Sequence, residues 1–167
     1  MQIIKWLAVA GAALVVVVVT AVAGAARLGA LSGSGPGNLG VRVGRLAPPS
    51  PTANSVSRQA RLHPGHPMQV GAMIAPLAAP ADPGATLARI EAIVAAMPEA
   101  QVVERTPGYL RVEFTSRWLR FVDDAEFWSD PAQGVVQVRS ASRLGRKDFG
   151  VNRARIEAIR ERLGAAA

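Results

Sequence analysis

The 167-residue sequence contains no cysteine. Disulfides, a cysteine-based zinc site and a lipidated amino-terminal cysteine are therefore excluded, while the compartment stays open. Histidine is nearly as scarce, with only His63 and His66, both in the turn-like stretch His63-Pro64-Gly65-His66. A serine nucleophile commonly needs a histidine base, and a metal site needs converging ligands. A histidine pair with no acid nearby supplies neither, so it reads as a solvated linker pair, and no metal or cofactor is expected. Acidic residues are missing over a long span: 27–81 carries five arginines and no aspartate or glutamate, whereas 82–167 carries thirteen basic and twelve acidic residues. The net charge of +7 thus sits outside the main folded part. Nucleic-acid binding would want that excess on the domain, with aromatics interleaved, so no nucleic-acid partner is expected. A phosphate-binding glycine fingerprint is also lacking, and Gly134, Gly145 and Gly150 read as turn residues.

What is present begins with an uncharged run from Trp6 to Ala26, 21 residues including five consecutive valines at Val15–Val19. About 20 apolar residues suffice to cross a bilayer core, so the run predicts a membrane partner. The alternative is a cleaved secretory signal with Lys5 as the basic start and Ala21-Val22-Ala23 as a small-residue cleavage site. The positive-inside count, with Lys5 before the run and Arg27, Arg42 and Arg45 after it, does not favour export. The short basic start followed by an apolar core does, and gives the expectation of a single-pass protein with its C-terminal domain in the periplasm. Arg27, Arg42 and Arg45 would then lie near anionic lipid headgroups, each contributing about 1 kcal/mol close to the surface. A solvated basic linker is the alternative. Trp6 and Trp118 are candidate interfacial anchors, Trp118 being equally suited to packing.

Three regions follow: residues 1–28 as anchor or signal, 29–67 as a Pro/Gly-rich basic linker, and 68–167 as an α+β domain. Leu31-Ser32-Gly33-Ser34-Gly35-Pro36-Gly37 reads as a flexible spacer. Prolines 48, 49, 51, 64 and 67 keep the next forty or so residues extended or turned. Met68–Leu77 is apolar enough for an edge strand. Asp82-Pro83 supplies an acidic N-cap and a proline at the first helical position. Leu87, Ile90, Val94 and Met97 then build one apolar helix face that Pro98 ends. A short strand at 101–104, an alternating strand at 109–116, a strand at 121–128 and another at 135–142 lead to a final helix at 151–163 striped by Ile156, Ile159 and Leu163. The expectation is an antiparallel sheet of about four strands with two helices on one face.

The stretch Phe121-Val122-Asp123-Asp124-Ala125-Glu126-Phe127-Trp128 places adjacent carboxylates in a strand. Neighbouring strand residues face opposite ways. The class Phe121, Asp123, Ala125 and Phe127 is apolar but for Asp123, so Asp123 should face the core. A buried carboxylate must be neutralised or matched, and an arginine fork matches it best. Arg117, Arg120, Arg139 and Arg143 are the candidate partners. Ser116, Ser140 and Ser142 continue the inward faces of their strands, and Asn152 lies four residues before Ile156. Ser116, Asp123, Ser140, Ser142, Arg143 and Asn152 could therefore form a polar pocket rimmed by hydrophobic residues.

These residues also resemble a known family. Residues 116–127 (SRWLRFVDDAEF), 138–145 (VRSASRLG) and 148–153 (DFGVNR) occur in the order seen in the domain of unknown function 1499 family, and the likeness covers roughly 38–163. The resemblance implies a membrane-anchored or exported bacterial protein and carries no established activity. At 52–60, similar to a family segment often reading Ser-Pro-Asn-Cys-Val-Ser-Ser-Gln-Ala, Ser55 stands in place of cysteine and Arg58 in place of serine. Thiol chemistry is therefore not carried over.

Two functions remain. One is a tethered binding or envelope-accessory module in which arginines around Asp123 leave a positive excess for a small anionic ligand. Its bland counterpart is a closed ion-pair network that only fixes the fold. The other is a carboxylate- or serine-dependent hydrolase or transferase using Asp123 or Asp124 with a nearby serine. Adjacent aspartates on one strand point apart rather than across a substrate, so no catalytic residue is assigned.

Overall fold

The computed structural model describes residues 1–79 and 81–165. Its first element is α1 (Gln2–Arg27), a helix long and apolar enough to cross a membrane by length and composition, as a signal sequence near an N-terminus also is. After it come β1 (Ser55–Ser57), a single 3-10 turn (Ala60–Leu62), β2 (Leu77–Ala78) and α2 (Pro83–Ala95). The chain then continues through β3 (Ala100–Thr106), β4 (Tyr109–Thr115), β5 (Val122–Asp130), β6 (Val135–Ser142) and α3 (Val151–Ala165). Asp82 caps α2 as its sequence demands, accepting a hydrogen bond from the Gly84 amide at 2.8 Å in front of Pro83.

The sheet is antiparallel with the order β1-β6-β5-β4-β3, and β2 also pairs with β6. It is therefore an α+β fold with six strands rather than about four. The two extra strands are two and three residues long, too short for an alternation pattern to reveal. Register is set by facing apolar positions: Leu110 opposes Phe127, which opposes Val138, and Val112 opposes Ala125. These side chains meet Ile90 and Val94 of α2 and Ile156 and Ile159 of α3 in one core. Each large side chain buried there contributes about 1.5–3 kcal/mol relative to exposure.

The second sheet face is covered too, by chain expected to be a linker. Gly33 lies so close to β6 that a Cβ there would stand 2.9 Å from Arg143 Cβ. The Gly40 amide donates to Glu126 Oε1 at 2.8 Å, and the Pro48 carbonyl accepts from Arg139 Nε at 3.0 Å. The segment 33–50 is thus a strap over the sheet, and Ser55–Ser57 beyond it is a strand in that sheet. Prolines and glycines exclude regular structure here, yet an irregular chain can still bond to side chains beneath it.

Candidate functional site

Asp123 does turn toward the helical layer and is buried. Its cation is Arg155 of α3, at 2.7 Å, and not any of the four arginines expected from the sequence. The Arg155 guanidinium lies 4.4 Å from the Phe114 ring centroid and also donates to Asn152 Oδ1 at 2.8 Å. Asn152 is fully buried and acts as the hub. Its Oδ1 accepts from the Ser140 hydroxyl at 2.5 Å, while its amide nitrogen donates to Ser142 Oγ, the Asn54 carbonyl and Asp148 Oδ2. Asp123, Ser140, Ser142 and Asn152 are therefore brought together as expected, with Arg155 in place of Arg143, whereas Ser116 lies outside the cluster in the turn after β4, its Oγ accepting the Phe121 amide at 2.9 Å. Among the described residues no buried side-chain nitrogen or oxygen of this hub lacks a hydrogen-bond partner.

The other four arginines lie elsewhere. Arg143 crosses to the opposite face and holds Asp124 with both nitrogens of its fork, Nε at 2.7 Å and Nη2 at 2.9 Å. It also contacts Glu113, and Arg111 reaches Asp124 at 3.2 Å. The Asp124 hydrogen bond leads the forces that push the Arg143 pKa above its ordinary value. Arg139 pairs with Glu126 at 3.3 Å, and Tyr109 donates its hydroxyl to the same carboxylate at 2.9 Å. Burial raises the Glu126 pKa despite Arg139, and burial with the neighbouring Glu126 raises that of Tyr109. Arg117 and Arg120 remain in the exposed turn after β4, Arg117 lying 5.5 Å from the Trp118 ring centroid. Position in sequence put all four near Asp123; strand parity and the turn separate them.

An open site lies on the side of β1 and α3. A cleft of about 430 Å³ is lined by Arg58, Arg61, Met73, Ile74, Pro76 and Arg153. Among the described residues neither Arg58, Arg61 nor Arg153 forms an ion pair, and Arg58 Nε is buried without a hydrogen-bond partner. Arg153 is steadied by the Gly71 and Met73 carbonyls at 3.3 and 2.8 Å. It also lines an adjoining cleft of about 280 Å³ with Lys147, Phe149, Met68 and Gly71. No single motif signalled this cluster; the clue was an acid-free stretch, 27–81, carrying two of its arginines.

In the lining of this adjoining cleft, Phe149 is 94% exposed with φ of 53°, followed by Gly150 at 86°. A bulky residue in the left-handed region costs about 1–2 kcal/mol and persists only where its surroundings hold it. Asp148 does so: its carboxylate accepts the Gly150 and Asn152 amides, both at 3.0 Å, closing the first turn of α3. Burial alone would raise the Asp148 pKa, but these hydrogen bonds outweigh it and hold the carboxyl below its ordinary value. A depressed acid stabilises the fold above its unfolded pKa and loses that contribution as pH falls through the folded value. Asp148→Ala is expected to lower unfolding free energy by about 1–2 kcal/mol at neutral pH, with the difference from wild type vanishing in acid; paired urea titrations across pH check it.

Among the described residues neither His63 nor His66 hydrogen-bonds to a serine side chain, and His66 Nδ1 accepts the Met68 amide at 3.1 Å. Among the described residues no three histidine or acidic side chains are grouped to hold a metal ion.

The family model described as "Protein of unknown function (DUF1499)" matches residues 45–163. The chain belongs to this family. The match takes in the six strands, α2, α3 as far as Leu163 and the ionic side chains of the buried networks. No curated protein and no solved structure matches. The family's unknown function leaves the chemistry to be read from the site itself.

Proposed function

We propose that this DUF1499 domain is a membrane-tethered, extracytoplasmic binding module that takes a small anionic group in the Arg58, Arg61 and Arg153 cleft. The observation that carries the reading is the buried, unpartnered Arg58 Nε in a wall of three arginines without an acid. Guanidinium forks suit carboxylate and phosphate, and three of them without a counter-charge favour an anion. Met73, Ile74 and Pro76 of the same cleft would offer an apolar surface to the body of the ligand. α1 supplies the tether, Arg27 in its last turn meets anionic headgroups, and the short basic start before the apolar run supports export.

The test is a titration of the full chain in neutral detergent at fixed low salt, with inorganic phosphate and with succinate. Either anion is expected to raise the unfolding temperature, since a ligand at 100 times its Kd stabilises by about 2.7 kcal/mol. Arg58→Ala is expected to weaken binding by about tenfold or more while leaving the unliganded unfolding temperature unchanged. Equal stabilisation of wild type and Arg58→Ala by both anions, or of neither, sinks the reading.

A further inference from the structure

We propose that the turn joining β4 to β5 is a foot resting in the headgroup layer of the membrane that α1 enters, its partner being a bilayer surface with anionic lipid. The inference rests on α1 being membrane-inserted, and it assigns a role to residues that the anion cleft does not use.

The turn is built to present its tip. The Ser116 amide donates to the Phe121 carbonyl at 2.8 Å, the Phe121 amide returns a bond to Ser116 Oγ at 2.9 Å, and the Arg120 amide donates to the Ser116 carbonyl. Arg120 is held at φ of 58°. Trp118 is 79% exposed, and Leu119 and Phe121 are also open to solvent, so three large apolar side chains crowd one short turn. Arg117 and Arg120 alternate with them. A tryptophan with aliphatic and aromatic neighbours interleaved with arginines matches the bilayer interface, where indole rings settle and basic groups meet anionic headgroups.

The path of the chain brings this tip to the membrane. Gly33 contacts Arg143 and Leu144, and the Arg143 amide donates to the Val122 carbonyl at the base of the turn. Five residues lie between Arg27, the last of α1, and Gly33, and the six steps span at most about 22 Å. The end of the sheet that carries the turn is therefore the end nearest α1. The opposite end, at the turn joining β5 to β6, lies about 30 Å farther along the strands. Arg117 and Arg120 also line an open cleft of about 500 Å³ with Thr115 and Gln101, Glu99 being the acid in its lining. The net charge of that cleft suits a phosphate headgroup.

The absence of cysteine makes the test clean, because one introduced thiol can be labelled alone. Leu119→Cys and, at the far turn, Gln133→Cys are each labelled with an environment-sensitive dye in the full chain and reconstituted in vesicles of mixed phosphatidylcholine and phosphatidylglycerol. The Leu119 label is expected to shift to the blue and resist iodide quenching, while the Gln133 label stays accessible. Arg117→Glu with Arg120→Glu, or vesicles of phosphatidylcholine alone, should restore quenching at Leu119. Thermal unfolding confirms that each variant folds, and Trp118→Cys serves as a second labelled site if Leu119→Cys does not. A chain that fails to float with vesicles overturns tether and foot together. A chain that floats while the labels at the two turns are quenched equally overturns the foot alone.

Discussion

Arg143→Ala is expected to lower the unfolding free energy by about 3–5 kcal/mol, the range for removing one partner of a buried ion pair. The mechanism is a stranded anion rather than a lost attraction. Asp124 is 1% exposed and is gripped by two nitrogens of Arg143. Without that fork it keeps only Arg111, a side chain shared with Glu104 and Glu113. Glu113 also loses its nearest cation. Chemical denaturation of the two proteins at neutral pH measures the difference. Removing both charges, as in Arg143→Met with Asp124→Leu, should recover most of the loss, because apolar replacements of a buried pair are often neutral or better. A single-mutant loss below about 1 kcal/mol would mean that Asp124 finds water and that this face is more open than described.

Asn152→Ala should be of similar size, about 3–5 kcal/mol, for a different reason. The side chain supplies acceptors and donors to groups from β6, α3 and the segment before β1 at once. Truncating it leaves the Ser140 hydroxyl without its acceptor and Ser142 Oγ without its amide donor, at about 1–3 kcal/mol for each that water cannot reach, while the Asn54 carbonyl keeps the Ser142 amide and the Arg155 nitrogen keeps Ser140 Oγ. Asn152→Asp separates shape from charge: it keeps the acceptor toward Arg155 and loses the donor toward Asn54. Asn152→Ala unfolding within about 0.5 kcal/mol of wild type would show that the hub is not a cooperative network.

The sequence made Asp123 legible as an inward-facing acid because alternation in a strand is a strict geometric rule. Its partner was not legible. Arg155 is 32 residues away on a helix whose apolar stripe, Ile156, Ile159 and Leu163, gave no reason to single it out, and only tertiary packing places it over Phe114. The same rule of alternation assigned Asp124 and Glu126 to an outer face, which would be solvated in a sheet covered on one side. They are in fact buried, since the strap 33–50 lies over them. Its Gly- and Pro-rich composition reads correctly as irregular chain, but irregular is not the same as unattached. The helices and long strands were readable because each carries many consistent periodic positions. The two short strands were not, since two or three residues hold no period: Ser55–Ser57 lay in the expected linker, and of the edge strand expected over 68–77 only Leu77 is in a strand, β2, with Ala78.

Gly33 has a consequence for where the domain can work. A free tether from 29 to 67 would let it roam about 30–40 Å from the end of α1. Pinned at Gly33, where φ is 67° and a larger residue would strike Arg143 and Leu144, the leash shortens to a few residues. With α1 as the membrane anchor proposed above, encounters would be confined to a thin layer parallel to the bilayer, and a target would have to be lateral: another protein in the same membrane, or a solute diffusing past its surface.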